Sequence, residues 1–188
     1  MKDKIILLTL VSLITYFFVD WQKKYINLPL FESAEKPIEA NLKIKAPDFV
    51  FETLKDNIFN LRDIKNKAIL VSFWASWCAP CIKEIPQMID MLEKKQKKLA
   101  IIFISIDGNK DDMVKFIKSL NLGKREDFNS LFWVWDGTKD LSLKTFNVVK
   151  VPETILIDRD FNIRHKFIGY QDWQDSVNQV LVNSMINK

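Results

Sequence analysis

Cysteine and histidine are scarce: the chain has two of the first and one of the second in 188 residues. A structural zinc site takes about four ligands of those types, and His165 lies about eighty residues beyond the cysteines. That supply argues against a metal. An excess of one charge is also lacking, because 28 basic and 24 acidic side chains leave a net charge of only +4. Such a balance gives no electrostatic footprint for nucleic acid. The densest basic cluster, Lys94, Lys95, Lys97 and Lys98, follows a helical segment, where cations suit the negative dipole end. Repeats and low-complexity tracts are absent.

With 48% hydrophobic residues the chain can bury one good-sized core and leave something over at the N-terminus. That remainder is an uncharged run from Ile5 to Val19, which reaches the lower end of the spanning range of about 17–25 residues when extended to Trp21. Its Ser and Thr hydroxyls can bond their own helix backbone, and Tyr16 and Trp21 suit the headgroup region. Lys2 and Lys4 would also open a cleaved leader, but Phe18-Val19-Asp20-Trp21 is too bulky for a small-x-small cleavage site. No cysteine follows the run to take a lipid. The expectation is an uncleaved anchor over residues 1–22, a linker over 23–45 with Pro29 and Pro37, and a globular domain over 46–188. Lys23 and Lys24 match Lys2 and Lys4, so charge alone does not orient the anchor.

Both cysteines fall within Trp77-Cys78-Ala79-Pro80-Cys81, after an apolar run and before a helical pattern. In a strand-turn-helix, Cys78 would sit at the helix N-terminus, where unpaired N–H groups and the dipole favour a thiolate. Cys78 is therefore the expected nucleophile. Cys81, one turn later and turned inward, can resolve a mixed disulfide on Cys78. A purely structural bridge closing so short a loop would constrain the unfolded chain little.

The elements alternate as strands and helices. Phe49 to Leu54 and Ile58 to Leu61 form an expected hairpin, and Ala68 to Ala75 and Leu99 to Ile106 read as buried strands. Helices are expected from Pro80 to Lys97, interrupted or kinked at Pro86, and from Asp111 to Leu120. A strand at Phe132 to Trp135, a helix near Leu141 to Phe146, strands at Thr154 to Asp158 and Ile163 to Ile168, and a helix from about Asp172 to Ile186 complete the series. The pattern predicts an α/β fold with helices on both faces of a central sheet.

The run Val71 to Cys81, with Glu84-Ile85-Pro86 after it and Val151-Pro152-Glu153-Thr154 to Asp158 later, resembles the thioredoxin fold. More closely, it resembles the membrane-anchored TlpA/ResA/DsbE group of bacterial thiol-disulfide oxidoreductases. Ala46-Pro47-Asp48-Phe49 matches that group's domain opening. The resemblance covers about Ala46 to Tyr170. It implies a central mixed sheet, an N-terminal β-hairpin extension and a central strand-helix insert around Asp111 to Asp136.

Through that resemblance several residues acquire roles. Val151-Pro152 is the implied cis bond, with Pro152 facing the cysteines and the backbone at Val151 free to pair with an extended substrate. Trp77, Ala79 and Pro80 are implied to support the site, Trp77 by shielding the nucleophile. Glu84 lies three residues after Cys81, on nearly the same helix face, and the group links such a glutamate to cysteine acid-base behaviour. An exposed Glu84 beside Lys83 is the plainer alternative. Thioredoxin itself has an aspartate six residues before its first cysteine, where this chain has Ser72. His165, between Arg164 and Lys166, reads as a solvated surface residue.

Ala79-Pro80 adds no positive charge between the cysteines, so a reducing role is favoured over an oxidising one. The resemblance implies no cofactor beyond a redox-active disulfide, exported disulfide-bearing substrates such as the CxxCH of apocytochrome c, and electrons from a membrane thiol donor. It places the protein in the cytoplasmic membrane as a single-pass chain, with the domain on the periplasmic or outer face. Two other functions remain open. One is a thiol peroxidase, although Val71 and Ala75 stand where peroxiredoxins place a proline and a Thr or Ser. The other is a copper-binding or redox-sensing module, whose copper carriers use a wider CxxxC spacing.

Overall fold

Two strands with every residue buried, β4 (Ala68–Trp74) and β5 (Leu99–Ser105), form the middle of the sheet in this computed structural model, which describes residues 12–21 and 44–186. Residues 12–21 are helical (α1) within an N-terminal unit, residues 1–42, and residues 43–188 form a second compact unit. In α1 the Thr15 hydroxyl donates to the Ser12 carbonyl at 3.0 Å, as a hydroxyl in an apolar helix can. Among the described residues no helix is long and apolar enough to cross a membrane. The rest of the expected anchor, residues 1–11 and 22, and the linker up to residue 43 lie outside the described residues.

Within the second unit six strands pair in the order β1 (Ile44–Lys45), β8 (Asn162–Ile168), β7 (Glu153–Ile157), β4, β5, β6 (Leu131–Trp135). β4, β5 and β6 run parallel, and β7, β8 and β1 alternate against them, so the sheet is mixed. The hairpin is present as β2 (Val50–Glu52) and β3 (Ile58–Asn60), which reaches the sheet edge where the Leu54 amide donates to the Trp133 carbonyl at 2.9 Å.

Alternation along the strands splits the core. One face presents Leu70, Trp74, Ile101, Phe103 and Leu156 to three helices, α2 (Ala79–Lys95), α3 (Lys110–Ser119) and α4 (Ser176–Ile186). The other face presents Ile69, Val71, Phe73, Ile102 and Ile104 to Phe49, Phe51, Leu61 and Phe146. Helical cover on that second face is short: a 3-10 turn, Leu61–Asp63, and a π-helical turn, Asp140–Thr145. Aromatic side chains make up the difference. Phe49 meets Phe146 edge-on at 5.2 Å and Phe51 meets Phe132 at 5.6 Å, and each full burial stabilises by about 1.5–3 kcal/mol.

α2 continues through Pro86 without interruption. The hydrogen bond a proline cannot make would have gone to the carbonyl of Ile82, an exposed residue, where solvent can replace the donor. The helix thus carries its N-terminal chemistry on a rod of 17 residues.

Candidate active site

β4 delivers the chain to a turn at one end of the sheet, and that turn is fixed from below. Asp107, just past β5 and buried, accepts from the Ser76 amide at 3.0 Å, the Ser76 hydroxyl at 2.8 Å and the Ser105 hydroxyl at 2.6 Å. The Cys78 amide closes the turn onto the Ala75 carbonyl at 3.1 Å. Cys78 then becomes the N-cap of α2, as its position before a helical pattern predicts. Pro80 stands in the first turn, where no amide is needed and its fixed φ is already helical. Ala79 opens the helix without adding charge.

Cys78 and Cys81 are joined in a disulfide with Cα atoms 5.3 Å apart. The two sulfurs are unequal. Cys78 keeps 6% of its surface exposed and Cys81 only 1%, so an incoming sulfur meets position 78 first. The Cys81 amide points at the Cys78 sulfur at 3.4 Å, an unpaired helix N–H that favours negative charge there. Trp77 is 68% exposed and stands as an apolar surface next to Cys78 in the chain.

Glu84 is not the solvated glutamate of a charged helix. It is 2% exposed, one turn beyond Cys81 and in the same buried side of α2. Burial pushes its carboxyl up to about 7, opposed by the Gln171 backbone amide, which donates to it, and by the nearby Trp173 indole. That indole N–H is buried without a full hydrogen bond of its own. A carboxyl so placed can exchange a proton near neutrality.

The Val151–Pro152 bond is cis. Because Phe73 pairs with Glu153 across the antiparallel β4–β7 ladder, the residues just before Glu153 lie at the end of the sheet where the Cys78 turn begins. Pro152 is buried and its carbonyl accepts from the Gly169 amide at 2.9 Å, while half-buried Val151 packs against both halves of the core. The four elements that converge here are the β4 turn, the start of α2, the start of β7 and the segment after β8.

Two residues weighed in the sequence stand outside this chemistry. Ser72 is buried within β4, so no carboxylate occupies its place. His165 lies exposed on β8 with its ring against Phe167 at 4.4 Å. Among the described residues no group of His, Cys, Asp and Glu is arranged to hold a metal. Conversely, Asp107, Gln171 and Trp173 belong to the site and escaped the sequence reading. Asp107 had a weak signal, a Ser-x-Asp at the end of a buried strand, whereas Gln171 acts through its backbone and leaves none.

Residues 42–166 match the AhpC/TSA family. Over 128 residues the chain is 33% identical to the thiol-disulfide oxidoreductase ResA of Bacillus cereus, covering 68% of this chain and 69% of that one. A solved thiol:disulfide interchange protein from a Bacteroides species superposes with a TM-score of 0.60 at 26% identity, covering 78% of this chain and 90% of the other. StoA from Bacillus subtilis, at 21% identity and a TM-score of 0.56 over 68% of this chain and 92% of its own, shares the fold.

Proposed function

Because the chain belongs to the AhpC/TSA family, and within it to the ResA-like thiol-disulfide oxidoreductases, we propose that it is a membrane-tethered enzyme that reduces disulfides in exported proteins. The observation that carries the mechanism is the asymmetry of the dithiol, a less buried sulfur capping a helix and a more buried sulfur one turn from a buried carboxyl, while the uncharged Ala79-Pro80 between them supports the reducing direction.

In the reduced enzyme the Cys78 thiolate attacks one sulfur of a client disulfide. A mixed disulfide forms and one client thiolate leaves, taking a proton from water. Cys81 then passes its proton to the Glu84 carboxylate and attacks the Cys78 sulfur, which breaks the mixed bond and releases the second client sulfur as a thiolate that takes a proton from water, while Glu84 returns its proton to solvent. Two electrons have gone to the client, and the enzyme is left in the disulfide form described above. A membrane thiol donor returns the two electrons. The backbone beside the cis Val151–Pro152 bond, at the same end of the sheet, is placed to pair with an extended client segment.

The heme-attachment CxxCH of apocytochrome c is the client proposed, and the apolar run Ile5 to Val19 the anchor that holds the domain on the outer face of the cytoplasmic membrane. A Cys81→Ser chain expressed in cells lacks the resolving sulfur and should accumulate a covalent adduct on Cys78 with its client, in the membrane fraction. Recovery of the chain from the soluble fraction, or adducts with proteins that carry no CxxCH, would refute the anchor or the client respectively.

A further inference from the structure

The segment after β8, residues 169–175, is irregular, yet it is fastened to α2 by three successive contacts on one side of that helix. The Lys83 ammonium lies over the Tyr170 ring, 4.7 Å from its centroid. The Gln171 amide donates to Glu84. The Trp173 amide donates to the side-chain oxygen of Gln87 at 2.9 Å. From the far side α4 holds the same segment, with Gln179 donating to the Trp173 carbonyl and Asn178 to the Asp172 carbonyl.

Gln87 is the member of this set that the mechanism does not yet use. It lies three residues, about one turn, beyond Glu84, is half-buried, and spends its oxygen on a backbone amide 86 residues away. That amide belongs to Trp173, whose fully buried ring packs edge-on against Phe167 at 5.0 Å and in the same cluster as Cys78 and Cys81. Trp173 therefore does two things to Glu84. Its ring helps exclude water, and its indole N–H, otherwise unpartnered, lies near the carboxyl.

We propose that Gln87 and Trp173 are positioning residues for Glu84: Gln87 fixes the 169–173 segment, and Trp173 is the cover under which Glu84 exchanges its proton. The proposal rests on the reading of Glu84 as the proton carrier of the resolving step. Neighbouring charges do not replace this arrangement. The ionisable side chains on the packed elements are Cys81, Lys83, Asp90, Glu93, Lys94 and Lys95 on α2, Cys78 in the turn, Tyr170, Asp172 and Asp175 in the segment, and Glu153, Arg164, His165 and Lys166 on β7 and β8; α4 has none. Lys83 is engaged with Tyr170, Asp90 with Arg125 at 2.9 Å and Glu153 with Lys166 at 2.6 Å. At Glu84, burial is opposed by the Gln171 amide, which donates to the carboxyl, and by the nearby Trp173 indole.

The two residues act with opposite sign, which separates positioning from mere loosening. Gln87→Met keeps the length and removes the acceptor, so water should reach Glu84 and its affinity for a proton should fall about tenfold, one unit of midpoint. Trp173→Phe keeps most of the cover and removes the indole donor, so the midpoint should rise. The measurement is the titration of the Glu84 carboxyl by ¹³C NMR in the full chain in detergent micelles, with Glu84→Gln identifying the signal. Amide exchange at Trp173 should accelerate in Gln87→Met and stay slow in Gln87→Glu, which keeps an oxygen acceptor. Midpoints that move together, or that do not move, overturn the proposal. The titration does not depend on turnover, so an active Cys78→Ser chain would sink the reductase reading while leaving this result to stand or fall by itself.

Discussion

Ser76 is held to Asp107 twice, by its backbone amide at 3.0 Å and by its hydroxyl at 2.8 Å, across 31 residues of sequence. This bond joins the turn before the nucleophile to the end of the neighbouring strand. Asp107 is buried, and hydrogen bonds to an ionised group contribute about 1.5–3 kcal/mol each.

Replacing Asp107 by alanine should therefore destabilise the chain by about 2–4 kcal/mol, since it strands the half-buried amide and hydroxyl of Ser76 and the buried hydroxyl of Ser105. Asp107→Asn, which keeps one acceptor, should cost less. Denaturant unfolding measures both, and equal costs for the two variants would show that the turn does not need the charge.

Glu84 makes stability depend on pH in a defined direction. Its folded pKa of about 7 lies above the ordinary 4.5, so the unfolded chain sheds this proton first as pH rises. The fold loses stability between about pH 4.5 and 7, is unaffected by the group below that window, and carries the whole penalty above it. Glu84→Gln should be indistinguishable from the parent at pH 4 and more stable by on the order of 1–2 kcal/mol at pH 8. A gain of equal size at both pH values would remove the titration as its cause.

The same group should shape the resolving step. With Glu84 ionised it accepts the Cys81 proton, so release of the client from a preformed mixed disulfide should accelerate as pH rises through about 7. In Glu84→Gln that limb should vanish and the rate should fall by about 10²-fold, the lower end of general acid-base contributions. Stopped-flow release of a fluorescent peptide thiol reads it directly.

Trp77 offers a contrast, because it is exposed and outside the core. Trp77→Ala should change the unfolding free energy by less than about 0.5 kcal/mol, as surface substitutions do. It should nevertheless raise KM for a disulfide peptide severalfold with kcat little changed, having removed an apolar surface next to the attacking sulfur. A lowered kcat with unchanged KM would place Trp77 in the chemistry instead.

Peroxide tests the family's other activity. Val71 and Ala75 are buried where a peroxidase would place a proline and a hydroxyl, so nothing there activates an oxygen–oxygen bond. Hydrogen peroxide should be consumed no faster than by the unfolded thiols of the same chain, and rapid Cys78-dependent consumption would contradict this.

The sheet was legible because its signals are local. Ala68–Trp74 and Leu99–Ser105 are apolar at nearly every position, which only a strand covered on both faces tolerates, and Cys78 announces the helix it caps. The second face was harder to read. The tract Asp140–Thr145 has the composition of a helix, yet Asp136 bonds the Leu141 and Ser142 amides and the turn closes as a π-helix, a choice made by tertiary partners. Glu84 was legible as a position and illegible as an environment. Its spacing from Cys81 is written in the chain, but its burial depends on Gln171 and Trp173, which come from beyond β8 and reach it through a backbone amide that carries no sequence mark.

The depth of β4 and β5 has one more consequence. All seven residues of each strand are closed off from solvent, and the disulfide rides on the end of the first. Deuterium should enter these two ladders last, so the making and breaking of a sulfur bond at the rim proceeds above a kernel that stays shut while clients come and go.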